Sequence, residues 1–106
     1  AIEHWRGGPP LLRWADGWLS LVHEVCETGQ GRVYLHRWVG FGPDGAATAA
    51  SRAFTFRGRG IEYAAGLAAS EDGAKLLVSF GIADREAWLA RVPAAAVAGL
   101  LKPFQQ

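Results

Sequence analysis

The chain has a single cysteine (Cys26), no methionine, only two lysines, and no apolar run near the length of a membrane helix. Each scarcity removes a class of explanation. One thiol cannot close an internal disulfide, so the fold must rest on its core, and the lone Cys leans mildly to a reducing, cytoplasmic compartment. It also has no partner for a Cys-based metal site. A helical span needs about 20 apolar residues; none occurs, and no stretch reads as a signal peptide. Without Met, Ala1 is not a natural start, and the chain is expected to be processed or cut from something longer. The formal net charge is +1 and the nine arginines are scattered. That pattern offers no footprint for nucleic acid or an anionic membrane.

Catalytic signatures are missing too. His23-Glu24 is followed by Glu27 where a zincin motif needs its second His. Gly29-x-Gly31 lacks a third glycine, and neither a phosphate loop nor a Ser nucleophile elbow is present. No cofactor or metal is expected. What the chain does have is apolar bulk: 50% hydrophobic residues and five tryptophans in 106 residues. That suffices for one core and one domain.

The organising stretch is Asp16-Gly17-Trp18-Leu19-Ser20-Leu21-Val22-His23-Glu24-Val25. A turn dipeptide opens into a run of aromatic and branched residues, which predicts a strand behind a tight turn. Alternation puts Leu19, Leu21, His23 and Val25 on one face and Trp18, Ser20, Val22 and Glu24 on the other. Both faces are largely apolar, yet each ends in an ionisable group. A buried His or Glu must find a partner or serve a site.

Upstream, Gly7-Gly8-Pro9-Pro10 closes an irregular lead-in, and Leu11 to Trp14 suits a short strand. Downstream, Glu27 to Gly31 reads as a polar loop. Arg32 to Phe41 is a strand with Val33, Leu35, Val39 and Phe41 on one face and Tyr34, His36 and Trp38 on the other. Gly42-Pro43-Asp44-Gly45 is a strong turn, and Arg52 to Arg57 suits a fourth strand with Phe54 and Phe56 together. Gly58-Arg59-Gly60 breaks the chain. Ile61 to Ala69 looks extended; Ser70 to Gly73 turns; Lys75 to Ile82 alternates again. Asp84 to Val92 suits a strand or a helix capped by Asp84, with propensity favouring helix. Pro93 then opens a helix to Lys102.

Setting turn on turn places Leu19, Leu21, His23 and Val25 over Leu76, Val78, Phe80 and Ile82. The expected fold is all-β: antiparallel meanders forming about two blades, offset by roughly 55 residues, a period suited to propeller blades. Blade one covers about residues 11–57, a partial blade two about 58–92, and a short C-terminal helix about 93–102.

Several segments together resemble a known group. Gly-Gly-Pro-Pro-Leu-Leu (7–12), Asp-Gly-Trp-Leu-Ser-Leu-Val-His-Glu-Val (16–25), Ile-Glu-Tyr-Ala-Ala-Gly-Leu-Ala (61–68) and Leu-Leu-Val-Ser-Phe-Gly-Ile-Ala-Asp (76–84) are similar to the final third of five-bladed propellers of glycoside hydrolase family 130. These are mannoside phosphorylases and mannosidases. Arg32 to Phe41 more closely resembles the related propellers found beside glycosyltransferase domains. The resemblance implies that His23 matches a phosphate-binding His and Asp84 a carboxylate that binds sugar hydroxyls. Glu24 stands where that family has Gly, which sets an anion beside any phosphate. The family's catalytic acid and its phosphate-binding Arg and Lys belong to earlier blades, which this chain lacks.

The expected function is therefore sugar or glycoside binding through His23, Glu24, Asp84 and Arg85 with a nearby Trp, phosphate being a further ligand. Two other readings stand beside it. One is a glycosidase or phosphorylase site assembled across subunits, with Glu24 or Asp84 as acid. The other is a structural unit, with His23 a strand histidine, Glu24 in a salt bridge, Asp84 a helix cap and Trp18, Trp38 and Trp88 in the core. Open blade ends predict self-association, with a trimer closing six blades.

Overall fold

A computed structural model describes residues 5–58 and 60–104. The first four residues of the lead-in and Arg59 of the expected break lie outside it. In chain order the strands are β1 (Arg6–Gly7), β2 (Leu12–Trp14), β3 (Gly17–Thr28), β4 (Gly31–Phe41), β5 (Ala47–Ala50), β6 (Glu62–Ala69), β7 (Lys75–Ile82) and β8 (Glu86–Pro93). Helix α1 (Ala94–Leu100) and strand β9 (Lys102–Pro103) complete the chain. The fold is all-β with one short helix, in two antiparallel sheets. The first has the order β1-β3-β4-β5-β9, with β2 also on β3; the second is β6-β7-β8.

The first hairpin turns through Ala15 (φ 53°) and Asp16. Gly17 follows because a Cβ there would run into the Phe41 carbonyl. β3 and β4 then pair without a break from Trp18↔Phe41 to Thr28↔Gly31. The expected loop over Glu27 to Gly31 contracts to Gly29-Gln30, because Thr28 Oγ1 donates to the Gly31 carbonyl (2.7 Å) and accepts from the Gln30 N–H (3.1 Å).

Alternation does the rest. Leu19 and Leu21 of β3 stand opposite Gly40 and Trp38 of β4 and share the inward face. Leu76, Val78 and Phe80 of β7 face them from the second sheet, Ala64 of β6 joins, and Val97 of α1 plugs the end of the layer. Each fully buried Leu or Val contributes about 1.5–3 kcal/mol. This two-layer seam is the core.

Two expected elements differ, and the strand-or-helix alternative at 84–92 resolves to strand. The fourth strand falls at Ala47–Ala50, not Arg52 to Arg57. Residues 51–58 and Gly60 still follow β4, but only at intervals: Ser51 N–H to the Trp38 carbonyl, a two-way bridge between Phe54 and His36, and Tyr34 N–H to the Gly60 carbonyl. Between those points the ladder is broken, partly because the Trp38 N–H donates to Ser51 Oγ (2.9 Å) rather than to backbone.

Residues 86–93 are a strand, not the helix that Glu, Ala, Leu and Arg favour. Pairing all eight with β7, from Ile82↔Glu86 to Lys75↔Pro93, outweighs a propensity of a few tenths of a kcal/mol per residue. Asp84 therefore caps no helix. Finally, the helix ends at Leu100 rather than Lys102. Lys102 precedes Pro103, which disfavours the helical region, and the tail instead pairs with β5.

Candidate functional site

Polar side chains gather in two places, one inside the seam and one on its rim. His23 and His36 are directly opposite on β3 and β4, both inward. The His23 ring stacks on Tyr34 at 5.6 Å and meets Tyr63 edge-on at 5.4 Å. Its backbone pairs with Arg6 of β1. Burial holds the His23 pKa below its ordinary value, and the Arg6 charge pushes the same way. His36 is lowered as well: burial dominates, the nearby Glu62 opposes it, and His23 adds to it.

Glu62 opens β6 across the seam. Its Oε1 accepts the Phe56 N–H (2.8 Å), and its Oε2 accepts those of Arg57 (2.7 Å) and Gly58 (3.2 Å). His36 Nε2 lies 3.4 Å from Glu62 Oε1 but makes no well-formed hydrogen bond. A histidine beside a carboxylate has the makings of a general base. Here His36 and Glu62 are only 1% and 2% exposed, so no substrate reaches them. The carboxylate's work is to pin the irregular 56–58 backbone onto the second sheet.

Glu24 points the other way, onto the outer face of the first sheet. It pairs with Arg37 (Nη2 to Oε1, 3.3 Å), whose guanidinium also lies 5.1 Å over the Trp5 ring. Consecutive strand residues diverge by geometry. Sequence adjacency therefore does not make His23 and Glu24 neighbours in one site.

Asp84 and Arg85 are exposed at the tip of the β7–β8 hairpin. Ala83 (φ 53°) and Asp84 (φ 56°) both take positive φ, as the centre of a type I′ turn requires, and the Arg85 N–H closes it on the Ile82 carbonyl (3.0 Å). Ala has a Cβ that crowds the backbone there and no polar side chain to offset it, so the tip stores strain of the kind that collects at functional loops. The Ala83 N–H bonds the Ile61 carbonyl (2.8 Å), which anchors the tip to β6.

Two further residues complete this rim. Glu86 and Trp88 share one face of β8, and Glu86 Oε1 accepts the indole N–H of Trp88 at 2.9 Å. The Arg57 guanidinium sits 4.1 Å from the ring centroid of Trp88. The indole is nevertheless 36% exposed. The rim thus sets a partly exposed aromatic ring between one carboxylate and one guanidinium, with Asp84 and Arg85 at the adjoining hairpin tip.

Of the four residues singled out from sequence, Asp84 and Arg85 share the rim, His23 lies in the seam and Glu24 on an outer face. Among the described residues, no hydrogen bond or ion pair joins these three places. Sequence reasoning passed over Glu62, Glu86 and Arg57. Glu86 alone left a signal, two residues before a Trp in a run that suits a strand. Glu62 acts on backbone N–H groups, which no side-chain pattern reveals.

Among the described residues no cluster of three or more His, Cys, Asp or Glu could hold a metal, and no helix is long and apolar enough to cross a membrane. No known protein family matches the chain, and no curated protein is similar to it.

Proposed function

We propose that the chain is a carbohydrate-binding unit of propeller type, whose ligand stacks on Trp88 at the hairpin rim. The supporting observation is the half-open indole bracketed by Glu86 and Arg57, with Asp84 and Arg85 at the adjoining tip. A hexose presents an apolar C–H face and a rim of hydroxyls. An indole suits the first, while carboxylates and guanidiniums suit the second by charge-assisted hydrogen bonds. The resemblance in residues 7–92 points to mannosides. Phosphate on such a ligand would meet Arg85 and Arg57 rather than His23, which burial keeps from gaining charge. The lone thiol of Cys26 is compatible with a reducing, cytoplasmic setting.

Titration of methyl mannoside, with and without phosphate, into isotopically labelled protein tests this reading. Amide shifts should concentrate at residues 83–88 and in the Trp88 indole N–H, and saturate. Shifts absent at millimolar sugar, or confined to residues around His23, would contradict it.

A second reading, self-assembly, is favoured by the outer face of the second sheet. Ala68, Leu77, Ser79, Ala87 and Leu89 lie there, with Leu89 61% exposed, and Arg91, opposite Leu77, sets one charge among them. The outer face of the first sheet instead carries Trp5, Arg37 and Glu24. Unlike faces associate head to tail, so a closed ring of three chains is the expected assembly. Sedimentation equilibrium should give three times the 11.4 kDa chain mass. A species of single-chain mass at micromolar concentration removes the ring.

A further inference from the structure

The seam is not closed along its whole length. Where β4 and β8 come nearest the 51–56 segment, an apolar groove of about 400 Å³ opens, within the size range of small-molecule sites. Trp38, Phe54, Phe56 and Val92 wall it, and Leu100 of α1 closes one end. These walls are fixed in place. Phe54 exchanges two backbone hydrogen bonds with His36 (2.8 and 2.9 Å), the Phe56 N–H is held by Glu62, and the Phe56 ring stacks on Phe80 at 4.4 Å. A cavity framed this way is preformed, so a ligand has little to order on binding.

One charge lines it. Arg52 is exposed, belongs to neither ion pair found among the described residues, and is the groove's only ionisable residue. A single guanidinium pairs fork to fork with one carboxylate. From the apolar walls, the volume and this lone cation we infer that the groove binds a small apolar monocarboxylate, such as a medium-chain fatty acid, with its tail against Phe54, Phe56 and Val92 and its carboxylate on Arg52. This site is separate from the Trp88 rim and stands whether or not the rim binds sugar.

Calorimetric titration with decanoate, kept below its micellar concentration, tests the inference against decanol as the uncharged control. One decanoate should bind per chain, roughly tenfold tighter than decanol, the discrimination expected of one charge-assisted contact. Arg52→Gln should bring decanoate down to the decanol level and leave decanol unchanged. Leu100→Trp, at a half-exposed position, should block both ligands. Each variant should keep the wild-type melting temperature, which separates loss of binding from loss of fold. Equal affinity for decanoate and decanol, undiminished decanoate binding in Arg52→Gln, or no saturable binding to the wild type would each overturn the site.

Discussion

The seam and the rim use much the same chemistry for opposite ends. Each sets a carboxylate beside an aromatic nitrogen: Glu62 beside His36 in one, Glu86 beside the Trp88 indole in the other. In the seam the carboxylate is consumed by three backbone N–H groups, burial lowers the pKa of both histidines, and neither His36 nor Glu62 is open to solvent. In the rim Glu86 meets one N–H only, and the ring it orients is open. What solvent can reach, rather than which residue types are present, separates structure from site. A polar cluster closed to solvent fixes packing; a half-satisfied cluster at the surface has capacity for a ligand.

The sharpest way to break this comparison is to remove both carboxylates in turn. Glu62→Ala orphans three part-buried N–H groups and leaves His36 without its neighbour. It should lower stability by about 3–5 kcal/mol in urea denaturation. Glu86→Ala should stay within about 0.5 kcal/mol of wild type. Similar losses at both would erase the distinction between seam and rim.

A second, smaller effect is pH dependence. His23 and His36 both titrate below the unfolded value of 6.5. Below that pH the unfolded chain binds protons that the folded chain refuses, so stability is full above it and falls as the solution is acidified. His23→Phe removes one of these sites and keeps an aromatic ring between Tyr34 and Tyr63. Its melting temperature should equal or exceed the wild type at neutral pH, and its decline on acidification should be shallower. A steeper decline would show that His23 gains rather than loses protons on folding. The smallest effect concerns the strained tip: Ala83→Gly should stabilise by about 0.5–1 kcal/mol in thermal melts, because Gly accepts positive φ freely.

How much of this the sequence carried depends on range. The inward rows Leu19–Leu21 and Leu76–Val78–Phe80 were legible because strict alternation is a local code. The turns were legible from their own residues: Ser70 to Gly73 turns as read, and the turn expected at Asp16-Gly17 falls one residue earlier, at Ala15–Asp16. β8 was legible only as one of two alternatives, since its residues prefer helix and become a strand by lying along β7. β5 was not legible: its Ala-Thr-Ala-Ala run has little strand preference and is held by β4 on one side and β9 on the other. At the candidate sites, His23 and Glu24 attracted notice as charges on an apolar strand, and that inference held as far as each needing a neighbour. Which neighbours they found, Tyr34 and Tyr63 for one and Arg37 for the other, was set by strand pairing and by β6 arriving from far along the chain.

Sugar binding at the rim is tested most directly by calorimetric titration of a mannoside into the wild type, Trp88→Ala and His23→Phe side by side. The rim account predicts saturable binding to the wild type, none measurable to Trp88→Ala, and unchanged affinity for His23→Phe. Binding lost in His23→Phe but kept in Trp88→Ala would contradict it and move the site into the seam.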